Sequence, residues 1–274
     1  MNRSPGTSPL HAPVDALTAA ALTVVILEHW LSTAFDTTSQ ISVTSLLKAM
    51  PPWAPAAWLP QLALGLLFFA GGYSRATVAW PAGQMLRPVV TFLLAWGGGL
   101  VVLLANGFSQ DAVRQILATA LAPLTYLIPY LLLAAISPFL RRLTRRHGWN
   151  TALAAGVAAA VIDDWLGPML LWAMPYLLGL AWGQTHLRLD PLPPGRQSGS
   201  RLVTLINRFA LPLYLWHPTT LVLAALATAR FGPIAGLNDP PTGPSWLLAR
   251  LVWLPVLTTV LIGLVVLAGT GRNR

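Results

Sequence analysis

The chain has 274 residues, 55% of them hydrophobic and only 9% charged, against roughly 25% charged in soluble domains. Its repeated apolar runs of about 20 residues, the length that crosses a bilayer core, exclude an ordinary soluble fold. The lack of any cysteine excludes disulfides, thiolate metal sites and cysteine nucleophiles.

The first thirteen residues, MNRSPGTSPLHAP, are polar and Pro-rich and lead into span one without a small-residue cleavage pattern, so a retained cytoplasmic tail is expected. Span one is expected at Val14 to Thr33 and span two at Ala57 to Tyr73. The loop between them contains MPPWAPAAW, whose prolines and tryptophans suit a membrane interface. Span three is read at Pro88 to Leu104; its Gly97-Gly98-Gly99 is taken as a close helix-packing site and not as a phosphate loop. Span four covers Leu121 to Leu140 and contains Pro123, Pro129 and Pro138, which free carbonyls that protein or water must satisfy. The short, Ala-rich span five runs from Thr151 to Ile162 into Asp163-Asp164, and span six from Gly167 to Trp182. Gln184 to Arg201 is rich in Pro, Gly, Ser and Arg and reads as a cytoplasmic linker. Span seven is expected at Leu202 to Thr228 and span eight at Trp246 to Gly269. The fold class is therefore an all-α, polytopic transmembrane helical bundle of about eight spans, forming a single domain.

The basic residues orient it. With eight spans and a cytoplasmic N-terminus, 13 arginines fall in inner segments, and Lys48, Arg114, Arg230 and Arg250 make 4 in outer ones. That asymmetry predicts cytoplasmic termini and a plasma-membrane location, with the lipid bilayer as partner. The net charge of +9 follows this topological pattern, so no nucleic-acid partner is expected.

Two histidines stand out, His29 in span one and His217 in the run ALPLYLWHPTTLVLA of span seven. An ionisable side chain inside hydrocarbon is costly and usually occupies a protected interior. On a helix wheel Asp15 lies about 40° from His29 and Thr18 about 20°, so these residues share a stripe, with His29 about 20 Å deeper than Asp15. Glu28 points about 100° away and cannot orient His29 within the same helix. His217, flanked by Tyr214 and Trp216, enters from the inner side to a comparable depth, so the two imidazoles could meet in one cavity. Such a ring can act as a general base on a hydroxyl, or it can be structural, bonded to a carbonyl freed by Pro212 or Pro218. Two separated histidines are too few for a metal site, and no metal is expected. Arg87, just before Pro88, suits a phosphate contact or a positive-inside anchor.

In order along the chain, VDALTAAALTVVILEHW, AWLPQ with LFFAGGY, MLRP, PLYLWH and SWLLARLVW resemble segments of the acyltransferase-3 family of integral-membrane O-acyltransferases, in an actinobacterial-type variant. The resemblance covers nearly the whole chain. It implies transfer of an acyl group, usually acetyl from acetyl-CoA, to a hydroxyl of a cell-surface glycan or lipid, with no tightly bound cofactor. His29 would carry the catalysis, His217 would be a second acid/base or orienting group, and Arg87 and Gln84 would lie where the donor is held. Asp15, Thr18, Glu28, Tyr214 and Trp216 would support them. Thr18 stands where the family has Arg or Lys, and Gln84 where it has the first of two arginines. Those two departures motivate a second reading, a non-catalytic relative that transports or binds a lipid or glycan precursor. A third is a proton-coupled carrier using Glu28, Asp163 and Asp164.

Overall fold

The computed structural model describes residues 12–36, 41–46, 55–77, 82–162, 166–185, 200–241 and 244–270. All but the last two residues of the expected cytoplasmic tail, all but the ends of the Gln184–Arg201 linker, and Asp163 and Asp164 lie outside the described residues. Ten α-helices appear among the described residues: α1 (Ala12–Ser32), α2 (Pro55–Thr77), α3 (Ala82–Ala105), α4 (Gln110–Ala135), α5 (Ser137–His147), α6 (Asn150–Val161), α7 (Leu166–Gln184), α8 (Arg201–Arg208), α9 (Ala210–Thr228) and α10 (Pro244–Thr270). Among the described residues five segments are long and apolar enough to cross a membrane: Pro13–Ser32, Met85–Ala105, Gln110–Ala135, Ala210–Phe231 and Pro244–Gly269.

Their outward faces carry Leu94, Val252 and Leu267, all more than 70% exposed. Large aliphatic side chains in such numbers on the outside suit a lipid environment and not water.

Proline explains where the helices depart from the expected spans. The fourth apolar run does not reach Leu140: α4 stops at Ala135 and α5 starts at Ser137. Pro138 has no N–H for the carbonyl of Ala134 and its ring crowds that carbonyl, so it is accommodated in the first turn of a new helix. The seventh run likewise divides into α8 and α9 at Phe209 (φ −108°, ψ 15°), because Pro212 cannot donate to Arg208. The fifth run, α6, has 12 residues, about 18 Å of helix against a core of about 30 Å.

One short β-hairpin accompanies the helices among the described residues. After α1 the segment TAFDTTSQISVTS is rich in β-branched residues, which favour a pleated surface. It pairs β1 (Thr33–Asp36) antiparallel with β2 (Ser42–Ser45), Thr33 opposite Ser45 and Asp36 opposite Ser42. Gln115 Oε1 on α4 accepts the Val43 N–H at 2.7 Å.

Two compact units share the chain. One comprises residues 1–23, 61–81 and 127–208. Within it α6 packs along α7, and α5 against α7. Backbones touch there: a Cβ on Gly72 would run into the carbonyl oxygen of Tyr176, and one on Gly179 into that of Phe69. By contrast Gly97 and Gly98 have nothing within 4 Å of where a Cβ would stand. Among the described residues, then, Gly97 and Gly98 meet no close neighbour, while Gly99 faces the Trp96 ring of its own helix.

The second unit comprises residues 24–60, 82–126 and 209–274. Its core gathers Trp30, Phe35, Phe92, Ile116, Leu215, Trp216, Leu221 and Leu257, with α9 packed against α3 and α10. Both candidate histidines belong to this unit.

Candidate functional site

His217 owes its setting to the proline that follows it. Within a helix the carbonyl of Tyr214 would accept from residue 218, but Pro218 has no N–H to give. The His217 ring takes the vacant place, with Nδ1 2.7 Å from Tyr214 O. A carbonyl only accepts, so Nδ1 carries the hydrogen and Nε2 is left with the lone pair in the neutral ring. His217's own carbonyl accepts from Thr220 Oγ1 at 2.6 Å and from Trp30 Nε1 at 2.9 Å. The ring's orientation and the backbone beneath it are thus fixed from both sides.

His29 sits in the last turn of α1, partly buried, its Nε2 enclosed and without a hydrogen-bond partner among the described residues. The two imidazole centroids are 5.1 Å apart with planes at 87°. An enclosed ring nitrogen left unpaired is costly, and such an atom in a native structure marks a place where a further polar group is wanted.

The aromatic neighbours follow from α9 periodicity. Trp216 is buried and meets Phe92 of α3 edge-on at 5.2 Å, while the Tyr214 ring lies 5.9 Å from His217. Trp96 Nε1 donates to Thr219 Oγ1 at 3.1 Å, so α3 braces α9 on both sides of His217.

Other expected site residues are not gathered here. Glu28 accepts from Ser32 Oγ at 2.9 Å, one turn along its own helix. Thr18 Oγ1 returns to Val14 O at 2.8 Å, and Asp15 is exposed. Both lie in the first two turns of α1, about 16 to 21 Å along the axis from His29. Arg87 is exposed near the start of α3, about 7 to 14 Å along that helix from the level of His217, taken between Phe92 and Trp96. Gln84 belongs to α3, but its side chain lies outside the described residues. Among the described residues no third His, Cys, Asp or Glu joins the two imidazoles in a group able to hold a metal.

Sequence reasoning missed one group beside this pair. Arg250, which the charge asymmetry assigns to an outer segment, is a fully buried residue of α10. Its Nε donates to Trp30 O at 2.6 Å, Nη1 to Gly236 O at 2.7 Å and Nη2 to Thr33 O. The available signal was an arginine seven residues into a 27-residue apolar helix, where a cation persists only if protein satisfies it. Compared with protein-family models, with curated proteins and with solved structures, the chain matches none.

Proposed function

We propose that the protein is a membrane O-acyltransferase that moves an acyl group, acetyl in the first instance, from a CoA thioester to a hydroxyl of a cell-surface glycan or lipid. The observation that carries this reading is the unpartnered, enclosed Nε2 of His29 beside His217, whose proton is placed on Nδ1 by Tyr214. In its neutral form such a nitrogen accepts a proton from a bound hydroxyl. The hydroxyl oxygen then bonds to the thioester carbonyl carbon, the C–S bond breaks, and the departing thiolate recovers the proton, giving an ester and free CoA. His217 supports the imidazolium transiently formed, and Arg87 meets the donor's phosphates. The family resemblance supports the same assignment. An eight-pass arrangement in the plasma membrane, with both termini cytoplasmic, is part of the proposal. It rests on the arginine tally and on α2, α6 and α7 serving as passes beside the five long apolar helices.

The test is transfer of labelled acetyl from acetyl-CoA to envelope material in membranes containing the protein. His29→Ala, at unchanged protein level, lowers the rate about 100- to 10,000-fold, the usual worth of a positioned base. Full activity in that variant removes His29 from the mechanism.

A second reading draws on Thr18, whose hydroxyl is turned back onto its own helix and supplies no cation for an anionic donor. In that case the protein binds or transports a lipid or glycan precursor without acylating it. Calorimetry with acetyl-CoA on purified protein separates the two: saturable heat favours transfer, and none favours the carrier.

A further inference from the structure

We propose that Arg250 is the positioning residue of the imidazole pair, holding the last turn of α1, and with it His29, against His217. Burying a guanidinium in an apolar helix is unfavourable unless its N–H groups are satisfied. Here all three nitrogens donate to backbone carbonyls, and the cation lies 5.3 Å from the centre of the Trp246 ring. Trp30 O belongs to the last turn of α1, whose carbonyls no helical N–H can reach; Thr33 opens β1. The guanidinium thus caps α1 from another helix and pins the backbone on the C-terminal side of His29.

From there the linkage continues without a gap. Trp30, whose carbonyl Arg250 holds, sends its indole N–H to the carbonyl of His217. One buried path of hydrogen bonds therefore joins α10, the end of α1 and the His217 backbone. The third carbonyl comes from a turn shaped for this approach. Gly236 has φ +73°, and a Cβ there would crowd Ala249 and the backbone nitrogen of Arg250. Asp239 Oδ1 steadies the turn, accepting from Gly236 N at 2.8 Å and Trp246 Nε1 at 2.9 Å. Trp246, Arg250 and Trp253 share one face of α10, and Trp253 Nε1 also reaches this turn, at Ala235 O. A planar fork with donors in fixed directions serves three carbonyls at once, and an ammonium does not.

The geometry stands without any assignment of activity; only its consequence for catalysis rests on the acyl-transfer reading. Because the chain has no cysteine, the double substitution H29C/H217C gives a clean reporter of the distance between the two positions. In membranes it is treated with a short bifunctional thiol cross-linker, alone and combined with R250Q or R250K. R250Q slows cross-linking on the order of tenfold, as expected for loss of charge-assisted bonds, and R250K gives an intermediate rate. A control pair, W96C/T219C, reads the α3–α9 contact that Arg250 does not touch, and keeps its rate in R250Q. An unchanged H29C/H217C rate in R250Q overturns the proposal. So does a parallel loss in the control pair, which would make Arg250 a support of the whole unit. With both histidines intact, R250K lowers kcat for acetyl transfer and leaves KM unchanged; a change confined to KM overturns positioning. Wild-type membranes without any transfer refute the enzymatic reading alone, and the cross-linking rates still decide whether Arg250 holds the pair together.

Discussion

Replacing Gly72 by alanine tests the packing of α2 on α7 where it is tightest. The new methyl would collide with the Tyr176 carbonyl oxygen, and the next atoms it meets, Tyr176 C and Leu180 N, are also backbone. None can rotate away, so the helices must separate, and the cost falls near the upper end of the about 1–3 kcal/mol typical of overpacking. Alanine returns about 0.8–1.0 kcal/mol of helix propensity, leaving a net loss of about 2 kcal/mol. Gly97→Ala gains the propensity and meets nothing within 4 Å, so the two variants should differ by about 3 kcal/mol. Gly179 faces Phe69 O in the same interface. Once one methyl has parted the helices the second costs less, so Gly72→Ala with Gly179→Ala is less than additive. Unfolding in mixed micelles, titrated with a denaturing detergent and followed by tryptophan fluorescence, gives all four values. Equal destabilisation by Gly72→Ala and Gly97→Ala would refute the contact argument.

Two further perturbations probe the second unit. Pro218→Ala supplies an N–H that competes for the Tyr214 carbonyl, so the fraction of His217 carrying its hydrogen on Nδ1 falls; nitrogen shifts of labelled histidine report it, and an unchanged pattern contradicts the account of the ring's orientation. Asn238 is fully buried and spans its turn, accepting from Ile234 N and donating to Gly232 O at 3.1 Å. Asn238→Ala strands both groups at a cost of about 1–3 kcal/mol, seen as a lower melting temperature together with faster amide exchange across residues 232–239.

Hydropathy made five of the membrane-length helices legible, because a run of 20 or more apolar residues has few other uses. The same signal overreached at Pro138 and Pro212, where composition stays apolar across the break; Pro60, Pro88, Pro175, Pro218 and Pro255 lack the same N–H and lie inside continuous helices. Hydropathy also merged a β-hairpin into a loop, since four-residue strands leave little periodicity to read. Glycine was harder still. Gly97-Gly98-Gly99 and Gly71-Gly72 look alike on paper, and only the neighbour across the interface tells a crowded position from an open one. At the site, His29 and His217 could be singled out because imidazoles are rare in such runs, and the structure brings them together. Arg250 was equally anomalous, yet a tally of charges by loop absorbed it as a topological marker. Two of its three carbonyl partners, at positions 30 and 33, lie more than 200 residues away in the chain, and no local pattern announces them.

The Tyr214–His217–Pro218 arrangement is made within a single turn of helix. Nothing from another part of the molecule is needed to aim the ring, since proline removes one donor and the imidazole three residues from the vacated carbonyl replaces it. The clamp should therefore be portable: a synthetic helix of residues 210–224 in a membrane-mimetic solvent would carry it intact, as would an unrelated helix grafted with the same short run.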